Sequence, residues 1–468
     1  MEKRENVDEV VVVMVPFYGQ GHLNQFLHLA CLISSYGLPI YYVSLPTYNN
    51  LIKLRANALN PSELSKIHFH DLPAPDLTAP PTTIPSASKI PDHYLSQPLW
   101  NSCVLLREPI ASFLADISSK ARRVVVIHDP FTAYNVQDFA SLPNAESYLL
   151  GGNSCFETYC SHICPALGLP IPLEADLLKR LPSTEGTFND DIFKHLAPFQ
   201  YQYMGKRSGD IHNTSPLIEG GSAFIDSMAQ LVNAQNIKQW AIGPILPTKL
   251  DHHSTKENEC LDWLNKQPPR SVLFVSFGTS TEFSDEQINE LAMGLELSKQ
   301  KFIWVLRDAD KGYVLPGKSR RLELPEGFEE RVKGVQGLVV RGWAPQPEIL
   351  AHPSTGGFMS HCGWNSCIES ITIGMPMAAW PMHSDQPKNG FLVTDILKTG
   401  LIVREWAKHK ELVTASTIEN VVRKLMASEE GDEVRKRAQK LGESVRQSRE
   451  KGGVSRIQLD SFIAHITR

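Results

Sequence analysis

The sequence predicts an α/β protein made of two doubly wound domains that face each other across a cleft. Three observations carry that expectation. The chain has 468 residues, too many for one ordinary hydrophobic core. It opens with a strand, a glycine turn and a helix, the start of a βαβ unit. From Ser271 the same alternation begins again, without the internal repeat that a solenoid would show.

Taken in order, Val10–Val15 (VVVVMV) is the apolar run expected of a strand buried on both faces in a parallel sheet. Pro16-Phe17-Tyr18-Gly19-Gln20-Gly21-His22 follows as a turn, and Leu23–Tyr36 has the apolar period of a helix. The glycines permit a tight turn with close backbone approach, and His22 stands at the helix mouth. Pro39–Ser44 reads as the next strand. Pro73 to Pro98 holds seven prolines in 26 residues, which excludes a long helix or a central strand. Such a stretch inside a domain reads as a binding loop, with a plain surface loop as the alternative. Leu99–Ser119 reads as a helix. Arg123–Ile127 reads as a strand ending in His128-Asp129-Pro130. That places a carboxylate on the same sheet edge as the first glycine turn, so His22 and Asp129 can meet although 107 residues separate them.

Residues 183–222 read as mixed helix and loop, Trp240–Pro247 as a strand, and the polar Leu250–Asn258 as the interdomain linker. In the second half, strands are expected at Ser271–Ser276, Phe302–Leu306, Leu338–Arg341, Gly357–Ser360, Pro376–Trp380 and Leu401–Val403. Helices are expected at Asp285–Ser298, with Ser284 as N-cap, and at Asn365–Ile373 and Pro387–Lys398. Three amphipathic helices fill Ser416–Ala427, Glu433–Glu450 and Ser455–Thr467, and a helical turn is expected at Pro347–Leu350.

Composition narrows the function. The net charge of −5 and the lack of long charged runs make nucleic acid and anionic membranes poor partners. No apolar segment approaches the roughly 18–20 residues that span a bilayer. The charged N-terminus leads straight into a strand, so neither a signal nor a transit peptide is read, and a cytoplasmic protein is expected. The eight cysteines then read as reduced thiols. Cys155, Cys160, His162 and Cys164 cluster, but they lack a CxxC pair, and helix packing is preferred over zinc. Asn213-Thr214-Ser215 spells a glycosylation sequon that is expected to stay bare.

The richest stretch is Trp343–Gln386, WAPQPEILAHPSTGGFMSHCGWNSCIESITIGMPMAAWPMHSDQ. Its polar residues follow short apolar runs, where strands end and helices begin, the place where α/β proteins hold nucleotides and phosphates. Trp343 can stack on a base, Glu369 can accept from ribose hydroxyls, and Asp385 with Gln386 can hold a sugar. Each has a plainer reading. His22 alone is a packing residue at a helix start, Asp129 an N-cap, Trp343 and Trp364 core aromatics, and Glu369 a solvated helix residue. Trp380 reads as core and His352 as a structural hydrogen-bonding residue.

This stretch resembles, nearly position for position, the signature of plant family 1 UDP-sugar-dependent glycosyltransferases that act on small molecules. VPFYGQGHLNQ near the start, the His-Asp pair at 128–129, VSFGT at 275–279 and the helical tail extend the likeness over the whole chain. MVPFYGQGHLNQFLHLACLISSYGLPIYYV and IHFHDLPAPD are most similar to the zeatin O-glycosyltransferase group. The resemblance implies the GT-B fold: an acceptor domain at 1–249, a linker at 250–258, a UDP-sugar domain at 259–448, and a last helix at 449–468 packing back on the first domain. It implies that Trp343 stacks on uracil, with Ala344 and Gln346 at the base edge, and that Glu369 holds the ribose. His361, Asn365 and Ser366 would bind the diphosphate with Ser276, Gly278 and Thr279, and Gly21 and Gly363 complete the donor set. Trp364, Asp385 and Gln386 would face the sugar, favouring glucose, although relatives of the zeatin enzymes also use xylose. His22 would be the general base and Asp129 its orienting partner. Phe17, Tyr18, His93, Tyr94 and Trp100 are the acceptor candidates. The implied enzyme is monomeric and needs no metal or cofactor beyond UDP-glucose as donor co-substrate. The DxD spelling Asp308-Ala309-Asp310 reads as solvated surface.

Two competing readings fit the sequence less well. A dinucleotide oxidoreductase predicts GxGxxG with an acidic residue ending the second strand, where this chain has GQGHLN and Ser44. A catalytically silent nucleotide-sugar or metabolite-binding protein is disfavoured by the presence of both His22 and Asp129.

Overall fold

Strand β1 (Val10–Val15) is buried along its whole length, and a seven-stranded sheet is assembled around it in a computed structural model. The structure describes residues 9–56, 59, 61–73, 101, 103–187, 191–247, 258–279, 281, 283–306 and 323–468. The remaining strands of the first sheet are β2 (Ile40–Ser44), β3 (Ile67–Asp71), β4 (Arg123–His128), β5 (Ala145–Gly151), β6 (Gly209–His212) and β7 (Lys238–Ala241). All pair in parallel in the order β3-β2-β1-β4-β5-β6-β7. The second sheet comprises β8 (Val272–Ser276), β9 (Lys301–Val305), β10 (Gly337–Val340), β11 (Thr355–Ser360), β12 (Met377–Ala379) and β13 (Gly400–Ile402). It too is parallel, in the order β10-β9-β8-β11-β12-β13.

Strand order decides where a ligand can sit. In each sheet the chain works outward from one strand and then returns to that strand's other side, opening a crevice at the carboxyl ends of the two neighbours. In the first sheet those neighbours are β1 and β4, with Val15 opposite His128. In the second they are β8 and β11, with Ser276 opposite Ser360.

The second half follows the expected elements closely. The helix Asp285–Ser298 begins at Ser284, whose hydroxyl accepts from the amide of Gln287 at 3.1 Å. The first half departs from the reading in more places: the strand expected at Trp240–Pro247 runs Lys238–Ala241, and the helix expected at Leu99–Ser119 has its main run at Arg107–Ser118. The helix expected at Leu23–Tyr36 runs Gln20–Ser34, because Gly19 already serves as its N-cap; His22 therefore lies in the first helical turn. Strands β3 and β5 were not anticipated. The segment read as mixed helix and loop at 183–222 contains β6, whose Asp210 is satisfied by the guanidinium of Arg207. The helix expected over Pro387–Lys398 runs only Gln386–Phe391 before widening into a π-turn at Leu392–Ile396. The linker expected at 250–258, apart from Asn258, lies outside the described residues, as does Asp308-Ala309-Asp310.

The core of the first sheet is closed by the last helix, Val454–Thr467, which contributes Leu459, Phe462, Ile463 and Ile466. Phe462 packs edge-on to Tyr148 and Trp240, with centroids 5.5 and 5.2 Å away. The two halves share a further apolar cluster in which Phe156 stacks on Phe391.

Candidate active site

The turn after β1 and the turn after β4 bring His22 and Asp129 together, with Nδ1 2.6 Å from Oδ2. Asp129 is fully buried and its other oxygen accepts from the amide of Phe131 at 2.9 Å, so the carboxylate has little freedom. Thr132 completes the cap: its hydroxyl accepts from the amide of Asp129 at 3.2 Å and donates to the carbonyl of Val15 at 3.0 Å. The imidazole of His22 is half-buried between Phe17 and Phe131. With Nδ1 held by a carboxylate, Nε2 is the nitrogen free to exchange a proton with a ligand. Burial draws the His22 pKa down, but the charge and hydrogen bond of Asp129, aided by Asp385, outweigh it and leave the value above that of an ordinary histidine.

Across the cleft, the turns after β8 and β11 form a second group. Gly278 has a left-handed φ of 71°, and a Cβ there would lie 2.6 Å from Nε2 of His361. A Cβ on Gly363 would lie 2.5 Å from the same atom, so two glycines leave just enough space for this ring. Nδ1 of His361 has no hydrogen-bond partner among the described residues, and burial with the nearby His383 pushes its pKa down to about 3. The ring is therefore neutral. Asn365 and Ser366 open the helix Trp364–Ile373, where backbone N–H groups and the dipole favour an anion. Ser276 and Thr279 line the same end of the cleft.

Trp343 presents an indole 36% exposed, and Ala344 beside it is buried. Gln346 donates through Nε2 to Ser366 Oγ at 3.0 Å and to Glu369 Oε2 at 2.7 Å, so it holds the carboxylate that faces the cleft. Burial raises the Glu369 pKa to about 7 against the lowering effect of Gln346. Asp385 is likewise raised to about 7 by burial and by the charge of Glu157, and it accepts from Asn389 at 2.6 Å. Ser384, with φ of 57°, turns the chain sharply just before it.

Two donor candidates line the cleft and carry structural hydrogen bonds as well. Trp364 is only 3% exposed and its Nε1–H donates to the carbonyl of Asn213 at 2.9 Å, so its indole is chiefly an interdomain strut that reaches the cleft. Gln386 spends its side-chain oxygen on the amides of Met382 (2.9 Å) and His383 (3.0 Å), which makes it the inner brace of the turn as well as a lining residue. Asn365 bridges the domains through Nδ2 to the carbonyl of Gly21, at 2.8 Å.

The two groups line one cleft of about 1920 Å³, well beyond the roughly 300–1,000 Å³ of a single small-ligand pocket. Of the acceptor candidates, Phe17 lines it. Tyr18 does not: it is buried in the core, where its ring stacks 4.7 Å from that of Tyr48. His93, Tyr94 and Trp100 lie outside the described residues. Phe131, Tyr201, Met204 and Leu167 also line the cleft and were not read from the sequence. Only Phe131 had a usable signal, standing two residues after the strand-end carboxylate.

Other readings resolve simply. All eight cysteines are free thiols, and among the described residues no group of three or more His, Cys, Asp or Glu side chains is arranged to hold a metal. Asn213 of the sequon is buried and accepts from the amide of Ile245 at 2.7 Å. No helix among the described residues is long and apolar enough to cross a membrane.

Comparison with known proteins shows the family. Residues 8–247 match the family model "Glycosyltransferase, N-terminal domain", and residues 185–433 match "UDP-glucoronosyl and UDP-glucosyl transferase". The chain is 47% identical to the zeatin O-glucosyltransferase of Phaseolus lunatus, over 98% of this chain and 97% of that relative. It is also 47% identical to the zeatin O-xylosyltransferase of Phaseolus vulgaris, over 98% of each. Among solved structures, Phytolacca americana UGT2 complexed with UDP-2fluoro-glucose and pterostilbene matches with a TM-score of 0.77 and 26% identity, over 98% of this chain and 100% of that one. A transferase from Siraitia grosvenorii in complex with UDP matches at 0.75 and 29%, with the same coverage. A cleft with a histidine–carboxylate pair on one wall and a nucleotide-sugar signature on the other thus meets full-length kinship, and the chain belongs to the plant UDP-glycosyltransferases, GT-B enzymes that take a sugar from a UDP-sugar co-substrate and pass it to an acceptor.

Proposed function

We propose that this enzyme transfers glucose from UDP-glucose to a hydroxyl of a small plant metabolite, a cytokinin of the zeatin type foremost, and forms a β-O-glucoside with inversion. The observation that carries the mechanism is the 2.6 Å pair of His22 and Asp129 facing the donor signature across one cleft. Neutral His22 takes the acceptor proton through Nε2 as the hydroxyl oxygen attacks C1 of the sugar. Asp129 orients the ring and stabilises the imidazolium that forms. UDP departs on the opposite side of C1, which inverts the anomeric centre. Its charge is met by the opening turn of Trp364–Ile373, by the unpartnered Nδ1 of His361 and by the turn at Gly278 and Thr279. In this reading Trp343 carries uracil, Glu369 the ribose, and Asp385 with Gln386 the sugar.

The chain's own groups cover the leaving charge, so no metal is assigned a step. A cytoplasmic monomer, divided at 249, 258 and 448, completes the reading. Xylose is the second donor to consider, because a zeatin O-xylosyltransferase is as similar to this chain as a glucosyltransferase is. Mass spectrometry of products from a matrix of UDP-sugars against zeatins and phenolics tests the proposal. It expects a single hexose added to zeatin from UDP-glucose, at a rate His22→Ala lowers by about 10²–10⁴-fold while UDP still binds. A pentose product from UDP-xylose alone would replace the donor, and UDP binding without product on any acceptor would favour a silent binder.

A further inference from the structure

Arg55 follows the helix Pro46–Leu54 of the first sheet's half, yet its guanidinium lies over the indole of Trp343, 4.6 Å from the ring centroid. It is aimed there. Its Nη1 donates to Oε1 of Gln20 at 2.7 Å, and Gln20, itself buried, donates to Asn24 at 2.9 Å. A cation from one wall of the cleft therefore caps the flat ring that the opposite wall offers to a base, and both residues line the same cleft.

We propose that Arg55 is a donor-binding residue: uracil enters between the guanidinium and the indole and is clamped on both faces, one from each half of the enzyme. The inference rests on Trp343 as the base platform. Planar groups in contact stand roughly 3.5 Å apart, so a base with a neighbour on each face needs about 7 Å. The separation of 4.6 Å must therefore open by about 2.4 Å when the donor enters, a distance that rotation of a long arginine side chain supplies without moving the helix. The flat, weakly hydrated guanidinium stacks on a pyrimidine as it stacks on an indole. Through Gln20 the guanidinium is held one residue from Gly21, whose carbonyl accepts from Asn365 at the start of the helix Trp364–Ile373. A donor held this way ties the two halves together before the acceptor reacts.

The test is UDP titration by calorimetry over a range of salt, with steady-state kinetics in UDP-glucose, on the full-length enzyme and its Arg55→Ala, Arg55→Lys and Trp343→Ala variants. Arg55→Ala should weaken UDP by about five- to twentyfold, flatten the salt dependence and place most of its loss in KM for the donor. Arg55→Lys, which keeps the charge and loses the plane, should recover only a minor part. Melting temperatures close to the parent's show that the variants are folded, and Arg55→Gln serves if Arg55→Ala is not. Unchanged or tighter UDP binding by Arg55→Ala, while Trp343→Ala weakens it, overturns the clamp and leaves the platform standing. Full rescue by lysine overturns the stacking. If Trp343→Ala leaves UDP affinity untouched, the platform reading fails and the clamp with it.

Discussion

As the proposed base, His22 can act only while its ring is neutral, so its raised pKa sets the lower edge of the working range. Activity should fall as pH drops through a value above the ordinary ~6.5 of histidine, because the buried Asp129 charge favours the imidazolium. Asp129→Asn keeps the shape and removes that charge, so the acidic limb of kcat/KM should move to lower pH while the plateau falls by about 10²–10⁴-fold, as expected when the base loses its orienting partner. An acidic limb that stays in place would remove Asp129 from control of His22. Glu369 makes a second pH prediction, on binding rather than rate. Burial holds its pKa at about 7, and the ribose hydroxyls proposed to bind there would donate to the ionised form. Donor binding therefore lowers this pKa, so affinity for UDP-glucose should strengthen as pH rises through about 7 and weaken below it. Calorimetry at several pH values should find a flatter profile in Glu369→Gln, whose group does not titrate. Asp385 is also raised to about 7, so some slope should remain.

At the scale of elements, the donor side depends on turns that tolerate no extra atom. Gly278→Ala puts a Cβ 2.6 Å from the His361 ring at a φ of 71°, where an L side chain is already strained by about 1–3 kcal/mol. The ring must shift, and UDP affinity measured by calorimetry should drop by about tenfold or more, with a smaller loss for substrates that lack the diphosphate. Much of this half was legible. Val272–Ser276, Gly278, Ser284 and the 343–386 stretch show their strands, cap and helix starts in local chemistry, and the structure places them within a residue or two. The first half was less legible for physical reasons. Gly209–His212 is four residues long with Asp210 and His212 in it, and its polar members are buried only because Arg207 and neighbouring strands receive them. Ala145–Gly151 carries Glu146 and Ser147 on an otherwise apolar strand, so neither a period of two nor a continuous run stands out. Tyr201 ends the helix Asp191–Tyr201 and Met204 opens a short 3-10 turn, both inside the span read only as mixed helix and loop, so neither stood out as His22 and Asp129 did after two valine-rich strands.

For the whole molecule, the geometry that matters is the meeting of two crevices, one after β1 and β4, the other after β8 and β11. Their alignment is set by contacts that no single domain contains. A strap at residues 180–187 reaches the second half: Arg180 pairs with Asp395, Pro182 accepts from Lys388, Glu185 accepts from the Trp406 indole at 3.0 Å, and Thr187 accepts from the amide of Ser384 at 2.6 Å. The strap thus ends on the turn that carries Asp385. From the other direction, the last helix leaves the second half and closes the core of the first, with Tyr36 donating to Asp460 at 2.6 Å and Arg123 reaching carbonyls at its end. Phe462 is the anchor of that return, fully buried against Tyr148 and Trp240. Phe462→Ala should cost about 3–5 kcal/mol, the usual effect of opening a phenyl-sized cavity in a packed core. The loss falls on the first sheet although the residue comes from the far end of the chain, so heating should melt the β1–β7 half earlier than in the parent. A probe of that half, the environment of Trp240, should show the shift, while the UDP affinity of the still-folded protein stays near the parent value. Equal destabilisation of both halves would instead mean that they unfold as one unit, with the last helix acting as the bond between them.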